Sequence, residues 1–303
     1  MNDVATPLVS IVIVTYNQQA YIAEAIEGAL GQDHPKLEII VSDDASSDGT
    51  WAIVDAYAQR YPEVVFAVRG SKNVGVTGNC NRGLALASGK YICWQGGDDI
   101  FLANKVRRQV EWMEADSRRS VCYHDADVFD SETGVTLWKW SDRFRMRTGD
   151  AATVIRYGTF MCAPTVMFRR DHLPQNLCDE RVKVASDWLL VIETLEHSGG
   201  QIGCIDGIFT RYRRHASNLS ASDSHRLADA LATLDIVSNR YPKHAFSVRQ
   251  QRAEAHLIEA WHRLRARDVT GFGRHLRRSF IESHGIWVGP AILLVRHALG
   301  LRL

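Results

Sequence analysis

Short apolar runs alternate with amphipathic stretches along the first hundred residues of the chain. The runs are rich in Val, Ile and aromatic residues, as is typical of strands buried on both faces. They predict strands at residues 9–14, 37–41, 64–68 and 91–94. Between them, apolar residues recur at helical spacing, which predicts helices near residues 22–30, 54–61 and 78–87. This alternation favours an α/β fold with parallel strands joined by right-handed helical crossovers.

The pattern changes in the second half of the chain. Short strands are predicted at residues 121–123, 165–168 and 208–212, with one clear helix that carries Trp188, Val191, Ile192 and Leu195 on one face. From about residue 224 onward the pattern is helical and rich in Arg. We therefore predict an α/β domain over residues 1–220 and a helical C-terminal region over residues 221–303.

Composition narrows the class of protein. The 303 residues are 46% hydrophobic and 23% charged, which is an ordinary globular balance. The net charge of +1 argues against nucleic acid as a partner. Six cysteines lack a Cys-x-x-Cys pair, and neither a secretory signal nor a run of 18 apolar residues is present. We expect a cytoplasmic protein with reduced thiols.

Polar clusters follow three of the predicted parallel strands. They are Thr15-Tyr16-Asn17, Asp43-Asp44 and Gly96-Gly97-Asp98-Asp99. Ligands of such sheets bind beyond the carboxyl ends of the strands, so these groups are expected on one rim. Adjacent carboxylates favour a divalent cation such as Mg²⁺ or Mn²⁺, although Gly-Gly-Asp-Asp is also a turn-forming sequence. A rim of solvated loops is the alternative.

Four motifs carry a family resemblance. They are Val-Ser-Ile-Val-Ile-Val-Thr-Tyr-Asn (9–17), Val-Ser-Asp-Asp-Ala-Ser-Ser-Asp-Gly-Thr (41–50), Asn-Val-Gly-Val-Thr-Gly-Asn-Cys-Asn-Arg-Gly (73–83) and Gly-Lys-Tyr-Ile-Cys-Trp-Gln-Gly-Gly-Asp-Asp-Ile (89–100). In this order and spacing they resemble family 2 of the inverting glycosyltransferases. The resemblance covers roughly residues 8–220, and it implies a GT-A-type Rossmann-like, mostly parallel sheet flanked by helices, with a helical C-terminal extension.

The resemblance implies a nucleotide-sugar donor site and a metal site. Asp44 matches the acid that contacts the base, and Asp98 matches the metal-binding last acid of the Asp-x-Asp motif, with Asp99 as an extra acid. The first acid of that motif is replaced by Gly96. The other implied donor-binding residues are Thr15, Tyr16, Asn17, Asn73, Gly75, Asn81 and Gly97.

Two later segments resemble the motifs near the end of the family's catalytic region. Asp187 at the start of a helix is the implied general base, with helix capping as the alternative role. In Arg-Tyr-Arg-Arg-His (211–215), His215 is the implied third metal ligand and Arg213 a phosphate contact. His-Asp-Ala-Asp (124–127) lines the acceptor side or forms a turn, and we favour the turn.

The sequence thus predicts an inverting transferase that moves a sugar, with a UDP-sugar as the expected donor, to a saccharide or lipid-linked saccharide in surface polysaccharide synthesis. Mn²⁺ or Mg²⁺ is the expected cofactor. The alternatives are a nucleotidyltransferase with a related core and an inactive nucleotide-sugar-binding protein. In the segment 285–303, the apolar run 286–295 has only ten residues, which is too short to span a bilayer. It favours helix packing or a homo-oligomer contact, with a membrane-surface helix at the inner face of the cell membrane as the alternative.

Overall fold

A computed structural model describes residues 6–218 and 223–283 of the chain. The strands of the described residues are β1 (Val9–Thr15), β2 (Leu37–Asp43), β3 (Val65–Arg69), β4 (Tyr91–Gly96), β5 (Ile100–Phe101), β6 (Arg119–Asp130), β7 (Thr136–Lys139), β8 (Met167–Arg169) and β9 (Gln201–Arg214). They form one sheet in the order β3-β2-β1-β4-β8-β6-β9-β5, and β7 pairs with β6.

The helices alternate with these strands in the first half and dominate the end of the chain. They are α1 (Ile22–Leu30), α2 (Thr50–Arg60), α3 (Gly75–Leu84), α4 (Lys105–Glu114), α5 (Trp140–Arg143), α6 (Ala151–Tyr157), α7 (Ser186–Ser198), α8 (Asp223–Arg240), α9 (Ala245–Arg265) and α10 (Val269–Glu282). Among the described helices, none combines the length and the apolar character needed to cross a bilayer.

The predicted α/β class is confirmed. Parallel pairs join β3-β2-β1-β4, and a further parallel pair joins β6 to β9. The strands β1 and β4 are apolar on both faces because helices cover the sheet on both sides. One apolar core contains residues of α1 and α4, and the other contains residues of α3, α6 and α7. Later strands add antiparallel pairs through β8, β5 and β7, so the complete sheet is mixed.

The second half departs from the prediction in detail. The segment 124–127, for which we favoured a turn, lies inside β6, so that prediction is wrong. β6 continues past it because β9 pairs along one edge of β6 and β7 along the other. The register between β6 and β9 shifts at His124 and Asp125, which marks the polar segment as an irregular stretch of strand. The predicted strand at 165–168 begins instead with a single 3-10 turn, Ala163–Thr165.

The C-terminal helices pack against the catalytic region. Leu234, Val237 and Val248 of α8 and α9 are buried in the same core as α6 and α7. The division at residue 220 stays a prediction. The segment 285–303, with its predicted membrane or oligomer contact, lies outside the described residues.

Candidate active site

The carboxyl ends of β1, β2 and β4 meet at one rim of the sheet, as the sequence predicts. Thr15 is level with Asp43 in the parallel register, and Val14 is level with both Ser42 and Gly96. The polar residues that follow these strands are therefore neighbours. This convergence defines the candidate site.

Asp44 is buried at this rim and binds the start of α3. Its carboxylate accepts hydrogen bonds from the backbone N–H groups of Val74 (3.1 Å) and Gly75 (2.8 Å), and it lies 3.4 Å from the Arg82 guanidinium. The Asn73 side chain also accepts from Gly75 N–H, at 3.0 Å. Gly75 has φ +84°, a conformation that favours glycine. Asp44 thus shapes the loop in which Asn73 and Gly75 lie.

The three residues that end β1 differ in exposure. Thr15 is buried, and its hydroxyl donates to Gln18 Oε1 at 2.9 Å. Asn17 accepts from Ser47 N–H at 2.9 Å and has φ 51°. The Tyr16 side chain is 46% exposed. Of the three, Tyr16 therefore offers the most accessible surface to a planar ligand.

Asp98 and His215 face each other across the rim, although 117 residues separate them in the chain. Asp98 Oδ2 lies 2.9 Å from His215 Nε2 and 3.3 Å from Asn218 Nδ2. The His215 ring lies 4.8 Å from the Tyr21 ring, and its Nδ1 lies 2.8 Å from Ser217 Oγ. These contacts orient the imidazole so that Nε2 points at the carboxylate.

Gly96 leaves room for the Asp98 side chain. A Cβ atom at position 96 would lie 2.5 Å from Asp98 Oδ1 and 3.4 Å from Asp99 Oδ2. A Cβ at Gly97 would lie 2.8 Å from Thr15 Oγ1. A side chain at either position would therefore displace a neighbouring side chain of the rim. The missing first acid of the Asp-x-Asp motif coincides with space that the remaining carboxylate fills.

Asp99 follows Asp98 and bonds to β9. The Asp99 carboxylate is buried and accepts a hydrogen bond from Arg213 N–H at 3.1 Å. Burial and the neighbouring Asp98 charge raise the pKa of Asp99 well above its usual value. Its carboxylate thus joins the loop after β4 to β9, and its role as a metal ligand stays a prediction.

Arg213, for which the resemblance implies a phosphate contact, bonds to protein atoms at the rim, and the phosphate contact stays a prediction. The Arg213 side chain is buried, its Nε donates to the Asp98 carbonyl at 2.7 Å, and its guanidinium pairs with Glu24. The guanidinium lies 4.9 Å from the Tyr21 ring and 4.7 Å from the Phe129 ring. Because its donors bind protein acceptors, Arg213 braces the rim.

Asn81 also bonds to protein atoms, and its donor-binding role stays a prediction. Its Nδ2 donates to the Cys178 carbonyl, and its Oδ1 accepts from Cys178 N–H, both at 2.9 Å. The amide therefore forms a two-way bridge between α3 and the segment that precedes α7. Asn81 helps to hold α7 beside the rim.

Asp187 lies in the first turn of α7 and is partly buried. Ala185 is the N-cap residue, so the predicted alternative of capping by Asp187 or Ser186 is not what the helix shows. Burial raises the pKa of Asp187 to about 6, and the charge of Asp229 adds to that effect. Such a carboxylate is ionised at neutral pH and is a stronger base than an ordinary Asp.

The segment that leads into α7 is held against α3. The Thr77 hydroxyl of α3 donates to the Val182 carbonyl at 2.7 Å and to the Lys183 carbonyl at 3.0 Å. Asn81 of the same helix bonds to the Cys178 backbone. Because α3 begins at the loop that Asp44 holds, the start of α7, which carries Asp187, lies near the rim.

Sequence reasoning missed Asp229 and Asn218. Asp229 accepts from the N–H groups of Val184 (2.8 Å) and Ala185 (2.9 Å), so it holds the backbone that leads into α7. Asn218 donates to Asp98, and its Oδ1 accepts from His215 N–H at 2.7 Å. Asn218 follows the recognised His215 by three residues, a spacing that signals a turn. Asp229 lies on α8 and carries no local signal.

The donor set at Asp98 suits a hard divalent cation. A carboxylate oxygen and an imidazole nitrogen converge there, and both are ligand types for Mn²⁺. Within the described residues, no group of three or more His, Cys, Asp or Glu side chains forms a complete cation cage. Two protein ligands leave most coordination positions to substrate phosphates and water, as is usual for Mg²⁺-type sites. The residues therefore fit the predicted group.

Fold and rim together define a glycosyltransferase of GT-A type. The model of the family described as Glycosyl transferase family 2 matches residues 10–175. The chain belongs to this family, which confirms the resemblance drawn from the motifs.

Relatives and solved structures agree with this assignment. The chain is 32% identical to an uncharacterized protein of Mycobacterium tuberculosis over 69% of its own length, and it spans 60% of that relative. It is 25% identical to WfaP of Escherichia coli, a UDP-Glc:α-D-GlcNAc-diphosphoundecaprenol β-1,3-glucosyltransferase, over 81% of this chain and 98% of WfaP.

Two solved structures share the fold. The first is S. aureus TarS in complex with UDP-GlcNAc, with a TM-score of 0.63 and 17% identity over 89% of this chain and 90% of the other. The second is the mannosyltransferase PcManGT from Pyrobaculum calidifontis with GDP-Man and Mn²⁺, with a TM-score of 0.63 and 17% identity over 98% of this chain and 81% of the other.

Proposed function

We propose that this family 2 glycosyltransferase transfers a sugar from a UDP-sugar to a hydroxyl of a saccharide or lipid-linked saccharide, with inversion at the anomeric carbon. The observation that carries the proposal is the 2.9 Å contact between Asp98 Oδ2 and His215 Nε2 at the rim of the parallel strands. The UDP-Glc donor and the lipid-linked acceptor of WfaP support the two substrate classes.

Asp98 and His215 would hold a divalent cation, Mn²⁺ or Mg²⁺. When bound, this cation offsets the negative charge that grows on the diphosphate leaving group. The Mn²⁺ bound together with GDP-Man in PcManGT supports this choice. Arg213 and Asn218 keep the two ligands in place through the Asp98 carbonyl and carboxylate. Asp99 secures the same loop through Arg213 N–H.

The nucleotide would lie along the rim between β1 and α3. Tyr16 offers an accessible ring for the base, and Asp44 shapes the loop of Asn73 and Gly75 toward the ribose and phosphates. Thr15, Asn17 and Gly97 shape the floor of this site. Gly97 packs directly against Thr15, where a Cβ would lie 2.8 Å from Thr15 Oγ1.

Asp187 would act as general base. Its carboxylate accepts the proton of the acceptor hydroxyl as that oxygen attacks the anomeric carbon from the face opposite the diphosphate. One displacement then inverts the configuration. A base whose pKa is about 6 balances ionisation at neutral pH against proton affinity.

Incubation with Mn²⁺, a panel of nucleotide sugars and lipid-linked saccharides tests the proposal. We expect release of UDP that depends on acceptor, and a product whose new linkage has the opposite anomeric configuration by NMR. Pyrophosphate release from a nucleoside triphosphate and a sugar phosphate would support a nucleotidyltransferase instead. Donor binding without turnover in any combination would indicate the inactive binding protein.

The cellular setting follows from the substrates. A lipid-linked acceptor in surface polysaccharide synthesis would bring the enzyme to the cytoplasmic face of the cell membrane. Fractionation of cells into soluble and membrane fractions tests this location, and recovery with the outer surface of the cell would contradict it.

A further inference from the structure

A half-exposed group of aromatic rings lies between β6, β9 and α5. The Trp140 ring stacks on Trp138 (5.6 Å between centroids) and on Phe144 (4.6 Å), and it meets the edge of Tyr212 at 6.0 Å. None of the four is fully buried, although large aromatic side chains usually are when they serve a core. Flat aromatic faces with polar neighbours are a common lining of small-molecule sites.

The same segment is strongly basic. Residues 138–147, here called the basic-aromatic segment, hold four basic residues and one acid, a net charge of +3. The basic residues are Lys139, Arg143, Arg145 and Arg147. Within residues 6–218 and 223–283, none of these four takes part in an ion pair.

The guanidinium groups lie against aromatic rings. Arg143 is 3.9 Å from the centroid of the Trp138 ring, and Arg147 is 3.4 Å from that of Tyr157. Stacking of this kind orients a planar guanidinium while its N–H donors stay available. With a net charge of +3, the like charges of the segment repel one another, so the segment gains stability when an anion binds.

A cavity of about 310 Å³ opens beside this segment. Its lining includes Ser141 and Arg147 together with Asp125 and Asp206. Its volume lies at the small end of the range for ligand sites. The backbone of the segment is anchored there, because the Asp125 carboxylate accepts from Ser141 N–H at 2.9 Å and from Ser141 Oγ at 2.6 Å.

The segment adjoins the catalytic residues on the side of α7. Tyr212 precedes Arg213, whose backbone N–H binds Asp99, and side chains alternate across a strand, so Tyr212 faces away from α1. Trp140 Nε1 donates to the Phe160 carbonyl at 2.9 Å. Phe160 shares its buried core with Trp188, which follows Asp187 in the chain.

We infer that the basic-aromatic segment is the acceptor site, and that the acceptor is a saccharide carried on a diphosphate. The aromatic faces pack against the sugar, and Arg143 and Arg145 bind the diphosphate. This inference rests on the proposed function, since it places the acceptor beside Asp187.

Direct binding tests the inference without turnover. The charged probe is N-acetylglucosamine linked through a diphosphate to an octyl chain, and the neutral probe is octyl N-acetylglucosaminide. Calorimetry is performed with Mn²⁺ and saturating UDP, so that the nucleotide site is filled. We expect the wild-type chain to bind the charged probe at least about 10-fold more tightly than the neutral one, because charged hydrogen bonds are the stronger kind.

Matched variants separate the two parts of the site. The double variant R143Q/R145Q should bind the charged probe about 10-fold more weakly, whereas R277Q/R278Q on the exposed face of α10 should match the wild type. Trp138→Ala should weaken both probes several-fold, because it removes a ring from the stack. All variants should bind UDP like the wild type, which separates this inference from the proposed donor site.

Equal binding of the charged probe by the wild type and R143Q/R145Q would overturn the inference, as would equal binding of the two probes by the wild type. If UDP fails to bind the wild type, the proposed function fails instead. In that case, the binding of the charged and neutral probes is compared without UDP, and this comparison tests the acceptor site alone.

Discussion

The nucleotide side and the acceptor side of this molecule are built in different ways. On the nucleotide side, β1, β2 and β4 end in register, and each delivers its own short polar motif. On the proposed acceptor side, Trp138, Trp140 and Phe144 lie in one short segment, and the pairing of β6 with β7 and β9 brings Tyr212 to them. Motifs at strand ends therefore mark the first side, while the second combines a local segment with a long-range strand pairing.

This contrast explains what the sequence could predict. The parallel strands, the rim and the residues Asp98, Asp187 and His215 can all be identified, because each follows a strand or begins a helix in a recognisable motif. The pairing of His215 with Asp98 is expected from the family resemblance, and the structure brings the two side chains together.

Some residues for which the sequence predicts ligand contacts bond to protein atoms in the folded chain. Arg213 and Asn81 have side chains that suit a ligand, but their donors bind the Asp98 carbonyl and the Cys178 backbone. A sequence shows which residue types are present. It does not show which acceptors will bind their hydrogen-bond donors in the folded chain. The role of Asp229 depends on α8 packing beside α7, which no local pattern reports.

The largest expected effect separates chemistry from substrate binding. Asp187→Asn should lower kcat by about 100- to 10,000-fold, the usual contribution of a general base, while the Kd for UDP stays unchanged. In the wild type, kcat should rise as the pH increases through about 6, because Asp187 must be ionised to accept a proton. Steady-state rates from about pH 5 to about pH 8 measure this. A variant that retains wild-type turnover would remove Asp187 from the mechanism.

A smaller effect is expected from the residue that positions α7. Asp229→Asn removes a negative charge near Asp187, so the pKa of Asp187 falls and the acidic limb of the pH–rate profile moves to lower pH. We also expect kcat to fall about 10-fold, because the backbone before α7 loses charged acceptors. Asp235→Asn, an exposed change on the same helix, is the control. An unmoved pH profile would refute this role.

A substitution at Gly96 tests the proposed place of Asp98 on the nucleotide side. Gly96→Ala places a Cβ 2.5 Å from Asp98 Oδ1, so the carboxylate must move. We expect the Mn²⁺ concentration for half-maximal activity to rise several-fold. Gly273→Ala, in a position with open space around it, should leave that concentration unchanged. Identical Mn²⁺ dependence of both variants would contradict the proposed place of Asp98.

The smallest expected effect is on stability, and it comes from the C-terminal helices, away from the nucleotide and acceptor sides. His256 and His275 pack with their Nδ1 atoms 3.2 Å apart between α9 and α10. Burial, His275 and nearby arginines lower the pKa of His256 to about 4, so the fold favours the neutral form. This stability is present above about pH 6.5 and is lost as the pH falls toward about 4.

Thermal unfolding checks that prediction. The midpoint of the wild type should fall by about 5 °C more than that of His256→Leu between about pH 7 and about pH 5. Equal acid sensitivity of the two proteins would show that the histidine pair does not couple to folding.

The measurement that tests the central claim most directly is Mn²⁺ binding in the presence of UDP, detected by electron paramagnetic resonance. We predict that the wild type converts free Mn²⁺ to a bound signal, that Asp98→Ala abolishes the conversion, and that His215→Gln weakens it at least about 10-fold. Thermal unfolding should show both variants folded. Undiminished Mn²⁺ binding by a folded Asp98→Ala protein would contradict the claim that this carboxylate holds the cation.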